Sequence, residues 1–174
     1  MFSKILIANR GEIACRVMRT ARRMGIKTVA VYSEADKDAM HVDLADEAVL
    51  IGPPPSRESY LRMERIIQAC KDTGAEAVHP GYGFLAENAT FAMALDDADL
   101  TFIGPPAPVL ERFASKAGTR QMLAAHGLPT IPGSGLLADD QQALEEAERI
   151  GYPVLIKPSA GGGGKGMRMV RSPR

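Results

Sequence analysis

Features of secreted, membrane-spanning and metal-binding proteins are scarce in this sequence. Of 174 residues only two are cysteines, Cys15 and Cys70, each alone in a helix-like segment without CxxC or metal-ligand spacing, so we expect small buried or half-buried side chains. No apolar run approaches the roughly 18 residues of a transmembrane helix. The N-terminal stretch MFSKILIANRG has a short apolar run and no small-residue cleavage site, so it predicts a first strand rather than a signal peptide.

An excess of charge of either sign is also missing. Lysine plus arginine number 21, and so do aspartate plus glutamate, which argues neither for nor against a nucleic acid or a membrane as partner. Hydrophobic residues make up 45% and charged residues 24% of the chain, which is ordinary for a globular protein. The length fits one large domain, or one domain and part of a second.

Short strands and helices alternate through the first part of the chain. KILIAN, KTVAVYS, AVLIG, AEAVH and LTFIG predict strands. Ile13, Val17 and Ala21 recur on one face of a first helix that Gly25 ends, residues 59–73 predict a second helix, and ENATFAMALDD predicts a third. This order predicts an α/β fold with a doubly wound, mainly parallel, Rossmann-like sheet. Ligands of such sheets bind beyond the carboxyl ends of the strands, where ANRGE, HPGYG and IGPP lie.

The character of the sequence changes after this sheet, and we expect a first domain over residues 1–113 and a second unit over residues 114–174. SKAGTRQMLAAHG predicts a helix with Lys116 in its first turn, and ADDQQALEEAERIG predicts an acidic amphipathic helix. YPVLIK predicts a strand that runs into a glycine-rich loop, and MRMV predicts the strand after it. About sixty residues are few for a self-sufficient core.

Four consecutive glycines stand between Lys157 and Lys165, namely Gly161, Gly162, Gly163 and Gly164. Ordering them costs roughly 2–4 kcal/mol of backbone entropy. This cost favours a flap whose N–H groups close over phosphate oxygens beside the two lysines, with a flexible linker as the alternative. The loop is not a Walker A motif, because Gly166 rather than Ser or Thr follows Lys165, and ANRGEIA has one glycine where a dinucleotide fingerprint needs three.

Several segments together carry a family resemblance: KILIANRGEIACRV, GIKTVAVYSEAD, HVDLADEAV, IGPPPSRESYL, AVHPGYGFLAEN, FIGPP and YPVLIKPSAGGGGKGMRMV. The chain resembles the N-terminal part of biotin carboxylase, the ATP-grasp ligase of biotin-dependent carboxylases that act on acetyl-CoA, propionyl-CoA, methylcrotonyl-CoA or pyruvate. The resemblance covers essentially the whole chain. ANRGEIA and HPGYGFLAEN are its specific segments, whereas the glycine loop alone indicates only the wider ATP-grasp superfamily.

The resemblance implies a Rossmann-like pre-ATP-grasp domain followed by an incomplete ATP-grasp unit. It implies an enzyme that uses MgATP and bicarbonate, through carboxyphosphate, to carboxylate N1 of biotin held on a carrier domain. A separate carboxyltransferase then passes the carboxyl group on. Lys116 and Lys157 would contact the ATP phosphates, and Met167 would lie near the nucleotide. The lid over the phosphates would consist of Gly161, Gly162, Gly163, Gly164, Lys165 and Gly166.

The loop HPGYG is implied to face the active site where biotin enters, with Tyr82 and Gly83 near biotin. A purely structural His-Pro-Gly turn is the alternative, and we assign His79 no catalytic role. The glycines, Gly81 among them, allow close approach of the backbone to a ligand.

Arg16, Arg19 and Arg23 form a basic stripe on the first helix, and Glu12 precedes Arg16 at the spacing of a helical ion pair. A solvated face is one interpretation, and the resemblance implies the other, a homodimer interface. Nucleic-acid binding is not expected, because no second basic or aromatic cluster joins the stripe.

The resemblance implies that the magnesium ligands and catalytic residues lie downstream of this chain, and Glu145, Glu146 and Glu148 fit a solvated helix surface. We therefore expect a truncated piece that is catalytically silent alone and binds ATP weakly at best. Two alternatives stay open: another ATP-grasp ligase, and a non-catalytic dimerisation module with the same fold. A first strand without an Arg/Ser-rich leader favours a cytoplasmic bacterial protein, with a processed mitochondrial chain as the alternative.

Overall fold

Strand and helix alternate through most of the computed structural model, which describes residues 1–158 and 166–173. Five parallel strands form one sheet in the order β3-β2-β1-β4-β5. They are β1 (Lys4–Ile7), β2 (Lys27–Ser33), β3 (Glu47–Gly52), β4 (Ala77–His79) and β5 (Thr101–Phe102). The predicted doubly wound, mainly parallel α/β fold is thereby confirmed.

Helices connect these strands and continue beyond them. They are α1 (Gly11–Arg23), α2 (Met40–Leu44), α3 (Met63–Thr73), α4 (Ala89–Asp96), α5 (Ala107–Ala114), α6 (Lys116–Ala125) and α7 (Asp140–Ile150). None of the helices within residues 1–158 and 166–173 is both long enough and apolar enough to span a membrane.

The sheet is buried on both faces. Leu6 of the central strand β1 and Ala8, just after it, belong to a core made with α3 and α4. These helices contribute Ile66, Cys70, Phe91 and Leu95 among others. The alternate residues, Ile5 and Ile7, point to a second core made with Ile13, Ala14, Val17, Met18 and Ala21 of α1. This burial explains why the strand sequences are continuous apolar runs rather than alternating apolar and polar residues.

The first helix follows its sequence pattern, and its buried side chains repeat at helical spacing. It ends at Arg23 with Met24 as its C-cap, after which Gly25 adopts a φ of +74° that suits glycine. Both cysteines are unpaired and buried, as expected. Burial raises the pKa of the Cys70 thiol to about 12, so the thiol stays protonated.

The prediction of a helix from residue 59 was wrong at its start, because α3 begins at Met63. A short 3-10 turn, Ser56–Glu58, precedes it, and the Ser59 hydroxyl donates to the Pro55 carbonyl at 3.0 Å. Tyr60 is fully buried there, in the core cluster that also contains Ile66 and Cys70 of α3. The helices α2 and α5 were not predicted.

The chain divides into two compact units, Met1–Glu111 and Arg112–Arg174. In the second unit Ser115 and Asp139 cap the N-termini of α6 and α7, and their side chains accept from the Gly118 and Gln142 amides. The strands β6 (Val154–Ile156) and β7 (Arg168–Val170) pair antiparallel, which confirms the two predicted strands. None of the described residues from 112 onward is buried.

Candidate functional site

The carboxyl ends of β1 and β4 lie side by side at the centre of the sheet. Ile7 is paired with His79, and the Ala8 amide donates to the His79 carbonyl at 2.9 Å. From β1 the chain enters α1 on one face of the sheet, whereas after β4 it enters α4 on the other face. Open α/β sheets bind ligands where neighbouring strands diverge in this way. The segments ANRGE and HPGYG therefore meet at the position where a ligand site is expected.

Asn9 joins the two segments. Its side chain is buried, and Nδ2 donates to the carbonyl oxygens of Pro80 and Tyr82, both at 2.8 Å. Its Oδ1 accepts from the Arg10 amide at 2.9 Å, which fixes the orientation of the carboxamide. A Cβ on Gly81 would lie 2.8 Å from Asn9 Nδ2, and Gly81 has a φ of +66°, so the turn requires glycine at this position.

His79 supports the same turn from within β4. The Gly81 amide donates to His79 Nδ1 at 3.0 Å, so Nδ1 is unprotonated and the neutral ring carries its proton on Nε2. Burial, and to a smaller extent the positive charge of Arg16, lower the pKa of His79 below its ordinary value of 6.5. This hydrogen bond gives the His79 ring a structural role in the turn.

Tyr82 extends from the turn towards solvent, with 63% of its surface exposed. Its hydroxyl donates to Oε2 of Glu12 at 3.1 Å, and this hydrogen bond raises the pKa of the phenol. The expected ion pair between Glu12 and Arg16 is not formed: among the described residues, Arg16 has no acidic partner at ion-pair distance. Glu12 instead connects α1 to the turn after β4.

Phe84 ends the turn with a φ of +41°, a conformation that costs an ordinary residue on the order of 1–3 kcal/mol. Its ring stacks on Tyr60, with centroids 5.0 Å apart and planes 3° from parallel. The Arg10 guanidinium lies 5.2 Å from the Tyr60 centroid and 5.7 Å from the Phe84 centroid. Stacking and cation–π attraction therefore hold the strained residue in place.

A single carboxylate oxygen anchors this cluster. Asp36 Oδ2 accepts from the Tyr60 hydroxyl at 2.6 Å, from Arg10 Nη1 at 2.9 Å and from the Ser33 hydroxyl at 2.9 Å. Burial alone would raise the pKa of Asp36, but the hydrogen bonds from Tyr60, Arg10 and Ser33 outweigh it and lower the pKa. Burial together with the bond to Asp36 raises the pKa of Tyr60 to about 12, so the phenol remains a donor.

The predicted nucleotide residues lie in the second unit. Lys116 is the first residue of α6, and Lys157 directly follows β6 and is exposed. Ile156 is paired with Arg168, which places Lys157 and Met167 at the loop end of the hairpin. Gly166 has a φ of +75°, and a Cβ there would lie 3.3 Å from Pro158 Cγ.

The rest of the predicted phosphate lid is not covered by the structure. Five of its six residues lie outside the described residues, namely Gly161, Gly162, Gly163, Gly164 and Lys165. Their assignment to the lid therefore stays a prediction.

No cluster of three or more His, Cys, Asp or Glu side chains suited to a metal ion occurs in the part of the chain that the structure describes. Glu146 pairs with Arg149 at 2.6 Å on the surface of α7. A shallow depression of about 720 Å³ is lined by Arg16, Arg19, Thr20, Arg22 and Arg23. All five belong to α1, so the depression is a furrow along one helix rather than an enclosed pocket.

Sequence reasoning missed the residues that shape the turn. Asn9, Arg10 and Phe84 stand inside the segments ANRGE and HPGYGF, so the specificity of those segments was the available signal. Asp36 and Tyr60 gave none, because they are 24 residues apart and follow different strands.

The sheet, with the glycine turn at its switch point, defines a doubly wound α/β domain. The family model for the N-terminal domain of biotin carboxylase matches residues 1–110, and a model for the ATP-binding domain of the carbamoyl-phosphate synthase large chain matches residues 115–174. The chain belongs to the biotin carboxylase N-terminal domain family.

Individual relatives agree with this membership. The chain is 57% identical to methylcrotonoyl-CoA carboxylase subunit alpha, mitochondrial, of Glycine max over 98% of this chain and 23% of that protein. It is 54% identical to biotin carboxylase of Halalkalibacterium halodurans over 99% of this chain and 38% of that protein. The chain thus spans 23% to 38% of the length of these relatives.

A solved relative shares the three-dimensional structure. It is the biotin carboxylase domain dimer of Hydrogenobacter thermophilus 2-oxoglutarate carboxylase, in complex with MgADP, ADP and bicarbonate. Its TM-score is 0.89 at 52% identity, and the match covers 98% of this chain and 38% of that one.

Proposed function

We propose that this chain is the N-terminal part of a biotin carboxylase, which uses MgATP and bicarbonate to carboxylate biotin on a carrier domain. The identity of 54% to a biotin carboxylase over 173 residues carries this proposal. The proposed domain boundary, residues 1–113 and 114–174, falls within α5, close to the limits of the compact units and of the family matches.

The residues of the β6–β7 hairpin fit a triphosphate. Lys157 brings a positive charge to the loop end, and Gly166 allows the backbone to approach closely because it has no side chain. When bound, MgATP supplies the phosphoryl group that activates bicarbonate, and fixed lysine charges stabilise the charge that shifts during its transfer. The residues that we assign to ATP binding are Lys116, Lys157, Gly161, Gly162, Gly163, Gly164, Lys165, Gly166 and Met167.

We assign Tyr82 and Gly83 to the biotin site. The exposed Tyr82 side chain and the glycine-flanked backbone stand at the switch point, where a ring can approach without displacing core residues. We assign no catalytic residue and no magnesium ligand to this chain.

A replacement enzyme tests the nucleotide assignment. It consists of Halalkalibacterium halodurans biotin carboxylase in which residues 1–174 of this chain replace the matching segment. We expect bicarbonate-dependent ATP hydrolysis that free biotin stimulates. Lys157→Met should raise the KM for MgATP by roughly tenfold or more, because it removes a charge from the phosphate site. The matched control, Lys71→Met on the exposed end of α3, should leave it unchanged.

Two results would contradict the proposal. One is a folded replacement enzyme without biotin-stimulated hydrolysis. The other is an equal effect of Lys157→Met and Lys71→Met, which would remove Lys157 from the ATP site.

We further propose that α1 is a homodimer interface. Arg16 and Arg19 are exposed and have no ion-pair partner among the described residues, so an acidic surface of a second copy could satisfy them. The Hydrogenobacter thermophilus relative is a dimer. The double change Arg16→Glu/Arg19→Glu should lower the association constant measured by sedimentation of the replacement enzyme, and Lys71→Glu should not. Equal sedimentation of both variants would exclude α1.

The carrier domain and a carboxyltransferase are the further partners that we propose. For location we propose the bacterial cytoplasm, which the bacterial relative supports, with mitochondria as the alternative that the Glycine max relative represents.

A further inference from the structure

The segments ANRGE and HPGYGF contact each other through residues to which the proposed function gives no role. Asn9 and Arg10 belong to one segment, and Phe84 belongs to the other. These residues hold the turn that contains Tyr82 and Gly83 at both of its ends. The question is whether they only stabilise the fold or determine the shape of the turn.

At the start of the turn, the geometry depends on one side chain. Asn9 uses both hydrogens of its Nδ2 on the turn, one for the Pro80 carbonyl and one for the Tyr82 carbonyl, each at 2.8 Å. These two oxygens lie on either side of Gly81, so the bonds define the curvature of the backbone there. His79 Nδ1 accepts the Gly81 amide at 3.0 Å and completes the arrangement.

At the end of the turn, an aromatic stack holds Phe84. Phe84 has the unfavourable φ of +41°, and its ring lies flat on Tyr60. Arg10 contacts both rings and is itself fixed by Asp36. Strain that surrounding contacts maintain is typical of backbone whose conformation matters for a ligand.

We propose that Asn9 and Phe84 are positioning residues for biotin: they fix the turn so that Tyr82 and Gly83 present a preformed surface to the ring. This inference rests on the proposed function, because it takes the biotin site to lie at that turn. Neither residue contacts biotin in this proposal. A preformed turn binds a weak ligand without first having to order its backbone.

The first measurement uses the chain itself. In NMR spectra of the 174-residue protein, Asn9→Ala and Phe84→Ala should shift the amide signals of Gly81 and Gly83. Asn88→Ala is the matched control, since it also removes a partly buried side-chain hydrogen bond, the cap that accepts from the Phe91 amide at 2.9 Å, and Asn88 has no side-chain bond to the turn. It should leave the signals of Gly81 and Gly83 in place.

The second measurement uses the replacement enzyme. Asn9→Ala and Phe84→Ala should raise the KM for free biotin about tenfold, since small misplacements of a binding group have effects of this size, and should leave the KM for MgATP within about twofold. Phe84→Tyr keeps the stacked ring and should retain the original KM for biotin. Asn88→Ala should change neither KM.

Each outcome decides the matter. Unshifted Gly81 and Gly83 signals in both variants overturn the inference whatever the enzyme does. Shifted signals with an unchanged KM for biotin, or with equal changes in the KM values for biotin and MgATP, also overturn the inference. In that case, biotin-stimulated hydrolysis by the unmodified replacement enzyme still supports the proposed function. Absence of that hydrolysis in the unmodified enzyme overturns the proposed function and, with it, the assignment to biotin.

Discussion

Replacing Tyr60 by phenylalanine isolates the contribution of one buried hydroxyl. Tyr60 Oη donates to Asp36 Oδ2 at 2.6 Å and accepts from the Ser33 amide at 3.0 Å. Both Tyr60 and Ser33 are fully buried. The change keeps the ring, and with it the stack on Phe84, so that only the two hydrogen bonds are lost.

The expected loss of stability follows from these two bonds. A hydrogen bond to a charged group contributes about 1.5–3 kcal/mol, and a buried N–H without a partner costs about 1–3 kcal/mol. Relief from burying the hydroxyl offsets part of the sum, so we expect Tyr60→Phe to lower the free energy of unfolding by about 3 kcal/mol. With a urea dependence of about 1.5 kcal/mol per molar, the midpoint should fall by about 2 M.

The assay is urea unfolding at pH 7, followed by the amide signals of β1 so that the midpoint belongs to the first unit. Tyr32→Phe is the matched control, because Tyr32 lies on β2 and its hydroxyl has no partner among the described residues. It should change stability by less than about 0.5 kcal/mol. Equal midpoints for the two variants would refute the reasoning that Tyr60 connects Asp36 to Ser33.

Three further predictions concern the first unit. Gly81→Ala should cost about 2 kcal/mol in urea unfolding, because its φ is +66° and the new Cβ would meet Asn9, whereas Gly74→Ala, at a φ of +67° with open space around it, should cost only about 1 kcal/mol for the left-handed backbone; equal effects would contradict the contact with Asn9. Asn88→Ala should cost about 1 kcal/mol as a lost helix cap, and an unchanged midpoint would argue against the cap. Burial lowers the pKa of His41 and His79 below 6.5, so as the pH falls the unfolded chain binds protons at a higher pH than the folded chain does. The free energy of unfolding should therefore fall as the pH drops below 6.5 and level off below the folded-state pKa values. A urea midpoint that stays constant from pH 8 to pH 5 would contradict this.

The secondary structure that periodic burial produces could be predicted from the sequence. Residues of α1 recur in one core at helical spacing, which indicates a helix. The strands β1 and β2 are buried on both faces, so their short apolar runs indicate strands. The start of α3 could not be predicted in this way. Tyr60 is held by a carboxylate that follows another strand, and no local pattern records a contact over 24 residues.

Part of the candidate site was visible in the sequence for a similar reason. The glycines at 81 and 83 were expected to allow close approach of the backbone, and both have a positive φ, at +66° and +69°. The residues that make this turn rigid, Asn9 and Phe84, give no such signal. An asparagine after a strand and a phenylalanine after a glycine are common, and their role depends on the pairing of β1 with β4, which only the fold defines.

The pairing of β1 with β4 also determines where the rigidity of the turn comes from. Asn9 and Arg10 follow β1 directly, and β1 is the central strand of the sheet, buried in both cores. The turn is therefore held by residues that follow the buried central strand of the first unit, and not by a neighbouring loop. Since local opening is rarest in such central strands, the shape of the turn should persist without any ligand. Hydrogen exchange at the Gly81 amide, which is bonded to His79, should accordingly be as slow as exchange in β1, and fast exchange there would mean that the turn forms only on binding.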